Sequence, residues 1–151
     1  MSAAAEPATA EHVILMRRAA TKAAFDGDER DRPLSQRGRI AAHKAAADIF
    51  GAGHHPGPLL VSTALAARQT AQIMVDELHI RDDVIYSDQL YSAPPEVMEA
   101  QLRVQAVAYT LVTLIADDPG LTDLARFLAG NPDAPAMQPA EWRYLPWPPH
   151  R

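Results

Sequence analysis

V-I-L-M-R-R-A, residues Val13 to Ala19, is a short apolar run that ends on two adjacent arginines. Four consecutive apolar side chains describe a strand buried on both faces, as in the middle of a parallel sheet. In open α/β sheets, ligands bind past the carboxyl ends of such strands. Arg17 and Arg18 therefore stand where this architecture keeps its chemistry, and their forked donors suit an anion.

Outward from this run, strand and helix patterns alternate. Met1 to Glu11 is Ala/Pro/Glu-rich and is expected to be a flexible leader, with one domain over residues 12–151. Ala20 to Pro33 is charged and contains Gly27, the composition of a long loop. Ser35 is an N-cap candidate for an Ala-rich helix to about Phe50, although Gly38 weakens its first turn. Leu59 to Ser62 is a second apolar strand. Ala71, Met74, Val75 and Leu78 then recur at helical spacing. Val84 to Tyr86 is a short strand, and Pro94 or Pro95 opens a third helix. Leu111 to Ala116 is another apolar strand. Asp117-Asp118-Pro119-Gly120 turns the chain into a last helix with Leu121, Leu124, Ala125 and Leu128 on one face. The Pro-rich tail allows an edge strand at Trp142 to Leu145. This order predicts a three-layer α/β/α domain with a mostly parallel sheet. It places Arg17-Arg18, Ser62-Thr63 and Asp117-Asp118 on one rim.

Bulk composition excludes several function classes. A net charge of -5, with Lys and Arg scattered, argues against a nucleic-acid surface. The apolar run from Tyr109 to Ala116 is far short of a membrane span, and the N-terminus has no signal-peptide pattern. With no cysteine, disulfides and thiolate chemistry are excluded, and a cytoplasmic location is the expectation.

Four segments together resemble the histidine phosphatase superfamily, the phosphoglycerate mutase-like fold, and within it the small bacterial phosphohistidine phosphatases. They are D-R-P-L-S-Q-R-G-R (Asp31 to Arg39), L-V-S-T-A-L-A-A-R-Q-T-A (Leu60 to Ala71), L-Y-S-A-P-P-E (Leu90 to Glu96) and D-P-G-L-T-D-L-A (Asp118 to Ala125). The likeness runs from about Val13 to Gly130. It implies a nucleophilic histidine after the first strand in an R-H-G motif, a second histidine in a G-H-N-P-G-L motif, and two phosphate-clamping arginines. Here R-H-G reads R-R-A and G-H-N-P-G-L reads A-D-D-P-G-L. Arg17 matches the first arginine, Arg18 stands at the nucleophile, Asp117 at the second histidine and Ala66 at the second arginine. A guanidinium offers no lone pair at neutral pH, so Arg18 cannot replace an imidazole nucleophile. In other covalent enzymes, losing the nucleophile removes about 10⁶ in turnover.

No other residue is an obvious replacement. His12 lies at the far end of the first strand, roughly 16 Å from Arg17 at about 3.3 Å per residue. His43 falls on a helix, His54-His55 in a Gly/Pro loop without a third metal ligand, and His79 and His150 have no partner that spacing identifies. Asp117 as an aspartyl nucleophile lacks a Mg²⁺ constellation. Arg68 lies two positions past the missing clamp and reads as a surface arginine. The acidic loop of Asp26, Asp28, Glu29 and Asp31 lacks calcium-loop spacing. No metal or cofactor is expected.

The sequence thus predicts a catalytically degenerate member of this fold with a regulatory, scaffolding or anion-binding role. The alternative is a phosphohistidine or phosphomonoester phosphatase with a rearranged site, and a third course is different chemistry on the same rim. Arg18 and Asp117, opposite in charge on facing loops, are expected to pair across the old pocket; otherwise both point to solvent. Arg17, Arg18 and Ser62 are the anion-binding candidates, for phosphate or another small anion. Trp142, Tyr144 and Trp147 are expected to pack on the sheet edge, with a protein partner at the Pro-rich tail as the other reading.

Overall fold

The computed structural model describes residues 9–149. The apolar runs form the strands β1 (His12–Arg17), β2 (Leu59–Ser62), β3 (Val84–Ser87), β4 (Leu111–Ala116) and β5 (Trp142–Pro146). Between them lie the helices α1 (Gln36–Gly51), α2 (Leu65–Leu78), α3 (Pro95–Ala106) and α4 (Gly120–Ala129). One sheet collects all five strands in the order β3-β2-β4-β1-β5. β1 and β4 run parallel from His12 opposite Leu111 to Arg17 opposite Ala116. β2 is parallel to both β3 and β4, and β5 alone is antiparallel, laid along β1.

Side chains alternate across this sheet with period two, and both faces are covered. Val13, Leu15, Leu60, Val112 and Leu114 face the layer formed by α3 and α4. Ile14, Met16, Leu59, Val61 and Ile115 face α1 and α2. That second layer is built on alanines, Ala42, Ala45 and Ala46 against Ala67 and Ala71, small enough to bring the two helices close. Thr113 is the buried polar exception on β4, and its hydroxyl donates to the Pro56 carbonyl at 3.0 Å. No helix among the described residues is long and apolar enough to cross a membrane.

Local signals explain where the helices begin. Ser35 caps α1, its hydroxyl oxygen accepting from Gly38 N–H at 2.9 Å. Gly38 costs helix propensity for a packing reason: a Cβ there would lie 2.0 Å from the Ala20 carbonyl oxygen. The same carbonyl accepts from Ser35 N–H at 3.0 Å, so the chain leaving β1 is pressed against the start of α1. α4 carries its buried Leu121, Leu124, Ala125 and Leu128 on one stripe and ends at Gly130 in the left-handed region.

One expectation needs correction. The leader predicted for residues 1–11 extends too far: Ala10 is buried, its N–H donates to Ala106 at 2.8 Å, and the Glu11 carbonyl accepts from Trp147 N–H at 2.8 Å. Tertiary backbone pairing overrides the composition there, while residues 1–8 and His150 lie outside the described residues. The stretch Ala20 to Pro33 is the expected long loop, with local order of its own. It holds a 3-10 turn at Glu29–Asp31 capped by Asp28, and Thr21 bridges Leu34 at its base.

The Gly38 contact gives a direct test. Gly38→Ala improves helix propensity yet must displace backbone, so it is expected to lower stability by about 1–3 kcal/mol. Urea denaturation should show the midpoint falling at unchanged slope.

Candidate functional site

Because β1, β2 and β4 are parallel, Arg17, Ser62 and Ala116 end at one edge of the sheet. Arg18 and Asp117 follow directly, and Arg18 N–H donates to the Ala116 carbonyl at 3.0 Å. The expected pairing of Arg18 with Asp117 is present: Arg18 Nε and Nη2 lie 3.1 and 3.0 Å from Asp117 Oδ2. Arg17 shares the same carboxylate, its Nε donating to Asp117 Oδ1 at 3.0 Å. Asp117 Oδ1 also accepts from Asp118 N–H at 2.8 Å. One carboxylate is thus held between two guanidiniums.

The remaining donors of the two arginines are turned toward protein as well. Arg17 Nη1 donates to the Met137 carbonyl at 2.9 Å and lies 3.8 Å from Asp118 Oδ2. Arg18 Nη1 donates to the Ala19 carbonyl at 3.2 Å. Asp118 Oδ1 accepts from Thr122 N–H at 2.8 Å in the first turn of α4, and the Thr122 hydroxyl donates to the Asp118 carboxylate while accepting from Met137 N–H at 3.0 Å. The strand ends, the start of α4 and the tail therefore meet in one polar network. The side chains are 21% (Arg17), 18% (Arg18) and 41% (Asp117) exposed, so solvent screens each pair to about 1 kcal/mol.

Beside this network is a cavity of about 120 Å³. Arg18, Ser62, Ala66, Asp117 and Asp118 line it, together with Arg32 from the β1–α1 connection. Arg17 is the candidate that does not: its side chain runs past Asp117 to Met137. Ala66 presents a methyl group where the resemblance expects a clamping guanidinium. Ser62 is buried, and its Oγ accepts weakly from Ala64 N–H at 3.4 Å ahead of α2. None of the cavity-lining residues is a histidine. Two arginines face three carboxylates there, with Glu29 the third, so the cavity is not a cationic well.

The described histidines lie elsewhere. His12 and His54 each stack on Tyr144, with ring centroids 4.3 and 4.2 Å away. His43 meets Glu77 at 2.9 Å and His55 meets Asp82 at 3.1 Å. His79 closes α2 in the left-handed conformation. Among the described residues no three metal-ligating side chains cluster. Trp147 is buried with the Arg103 guanidinium 5.4 Å above its ring, and Trp142 packs on the α1–α2 layer, while Tyr144 stays exposed. Arg68 is exposed and its Nε donates to the Thr63 carbonyl at 3.1 Å, in keeping with a surface arginine.

Several rim residues carried no assigned role in the sequence. Arg32 contacts Glu29 at 2.9 Å and donates to the carbonyls of Lys22 and Ala23. Arg30 reaches Thr63 and Asp88 and lies over the Tyr91 ring. Hydrogen bonds from Thr63 and Arg30, with the Arg30 charge, hold the Asp88 carboxyl below its ordinary value. Its tie to Arg30 is therefore complete above the ordinary carboxylate range and is lost as pH falls through the lowered value. The alternating charges of D-G-D-E-R-D-R (Asp26 to Arg32) were the available signal, a loop that compensates its own charge.

No family model matches this chain, and no curated protein matches it in sequence. Solved structures do match. A SixA protein from Agrobacterium tumefaciens, assigned as a phosphohistidine phosphatase, has a TM-score of 0.81 at 23% identity, over 91% of this chain and 92% of its own. A SixA protein of the same assignment from Nakamurella multipartitia gives 0.71 at 27%, over 82% and 69%. The protein histidine phosphatase SixA complexed with tungstate gives 0.74 at 21%, over 85% and 81%. The fold is that of the histidine phosphatase superfamily, as the four sequence segments predict. The structures of this build include the small SixA-type phosphatases.

The shared carboxylate can be tested by coupling. Asp117→Ala is expected to cost about 1–2 kcal/mol, since it leaves two neighbouring guanidiniums without their common acceptor. A double-mutant cycle of Arg18→Ala with Asp117→Ala should return a coupling of about 1 kcal/mol that shrinks at high salt.

Proposed function

We propose that the rim cavity binds without phosphoryl-transfer chemistry. The protein is then a non-catalytic member of its fold with a regulatory, scaffolding or anion-binding role. One observation carries this reading: Asp117 engages both Arg17 and Arg18, in a cavity that no imidazole among the described residues lines. A covalent phosphatase needs a nucleophile with a free lone pair and preorganised donors on the transferring group. Here a guanidinium stands at the first position and a methyl group at the clamp. A cytoplasmic location is the default that goes with this reading.

The second reading is a phosphohistidine or phosphomonoester phosphatase with a rearranged site. The comparisons favour it, because the similar structures are named as phosphohistidine phosphatases and one of them holds tungstate, an oxyanion. For this chain, Arg18 and Ser62 in the cavity are the groups through which an oxyanion would be met, with Arg17 behind them.

Hydrolysis separates the two. The unmodified protein is expected to leave an aryl phosphate and a phosphohistidine peptide at background rates. The triple variant Arg18→His, Ala66→Arg, Asp117→His is expected to turn over the aryl phosphate. Clear turnover by the unmodified protein would overturn the first reading. Anion affinity is tested separately by sulfate titration. Asp117→Asn removes the internal carboxylate, and the variant should bind at least about fivefold tighter than the parent. That is the weak end of the ~1–4 kcal/mol repulsion between unit charges at 4 Å.

A further inference from the structure

The segment between Thr21 and Leu34 contributes Thr21, Glu29 and Arg32 to the cavity wall. This segment is internally braced. Its base is bridged by Thr21 and Leu34, Lys22 N–H donates to the Pro33 carbonyl at 3.0 Å, and Arg32 holds Glu29 and the carbonyls of Lys22 and Ala23. It has the form of a compact surface loop with its ends pinned together, which favours movement as a unit.

Its side-chain hydrogen bonds to the neighbouring connections come from one residue. Among the described residues, the hydrogen bonds from 22–33 to the β2–α2 and β3–α3 connections all come from Arg30. Its guanidinium donates to Thr63 Oγ1 and to Asp88 Oδ1 and lies 4.8 Å from the Tyr91 ring centroid. Thr63 Oγ1 in turn donates to Asp88 Oδ1 at 2.7 Å. Three connections at the carboxyl edge thereby meet at one side chain.

The position of this junction matters for access. Glu29, its neighbour in the chain, and Tyr91, whose ring Arg30 covers, line the cavity. Arg30 and Thr63 line an open groove of about 650 Å³ with Leu65, Arg68, Gln69 and Tyr86. Arg30 thus lines the groove while its chain neighbour Glu29 lines the cavity. We propose that Arg30 is a latch that holds the 22–33 segment over the cavity, so that a ligand enters when the Arg30–Thr63–Asp88 junction opens. An exposed ion pair contributes little, and Asp88 is 79% exposed, so the latch is poised to open in solution rather than locked. The proposal rests on the cavity being the ligand site, as argued above.

Access is measurable without a ligand because the chain contains no cysteine. Ser62→Cys and Ala66→Cys each place a single thiol on the cavity wall, both at buried positions. Ala46→Cys places one in the core between α1 and α2, away from the cavity. Alkylation by iodoacetamide is followed by mass spectrometry at constant pH. Adding Arg30→Ala is expected to speed alkylation at positions 62 and 66 about fivefold, with a smaller increase for Asp88→Asn. The rate at position 46 should not change. Unchanged rates at both cavity positions with Arg30→Ala overturn the latch, and so does an equal increase at position 46, which would mean global loosening. Neither result depends on turnover or anion binding, so failure of the latch leaves the proposed function standing.

Discussion

The carboxylate of Asp117 sits between two guanidiniums at the joined ends of β1 and β4, and the rest of the rim is arranged around it. β1 and β4 are adjacent parallel strands, so their last residues emerge side by side and their following side chains converge. Two arginines that close would repel and would draw in an anion. Asp117 supplies that anion from within the chain. Its neighbour Asp118 extends the network to Thr122 at the start of α4 and, through the Thr122 hydroxyl, to Met137 in the tail. A single acidic pair therefore fixes strand ends, helix start and tail relative to one another.

This arrangement also decides what the cavity offers a ligand. A phosphate site needs unpaired donors that converge on one point. Arg17 sends Nε to Asp117 and Nη1 to Met137, and Arg18 sends Nε and Nη2 to Asp117 and Nη1 to Ala19. Any bound anion must compete with a carboxylate that is covalently part of the protein and already in place. Arg32, the other cation on the cavity wall, is matched to Glu29 in the same way. Each arginine in the cavity thus meets an acidic partner from the chain itself.

Much of the fold was legible from local pattern. Leu59–Ser62 and Leu111–Ala116 form strands with the expected limits, and Ser35 caps α1, because apolar runs and caps are properties of a few consecutive residues. The pairing of β5 against β1 and the anchoring of Ala10 to Ala106 depend on partners far along the chain, and composition carried no trace of them. The site divides along the same line. Arg18 and Asp117 were found because family-like segments on both sides fixed their positions. The diversion of Arg17 away from the cavity depends on a carbonyl 120 residues later, and the junction at Arg30 needs three connections to meet. Neither leaves a signature in neighbouring residues.

The opposite signs at positions 18 and 117 carry a further physical consequence. Arginine at 18 alone would add a second cation beside Arg17 on a partly desolvated rim. Aspartate at 117 alone would place a carboxylate beside one arginine and repel the phosphate that arginine would bind. Together they give a local group in which Asp117 offsets one of the two arginine charges and the remaining donors find carbonyls. Burying part of that group costs less than burying either charge unpaired. The coupling is not symmetric: a histidine at 18 leaves Asp117 paired with Arg17, whereas a histidine at 117 leaves both guanidiniums without their common acceptor.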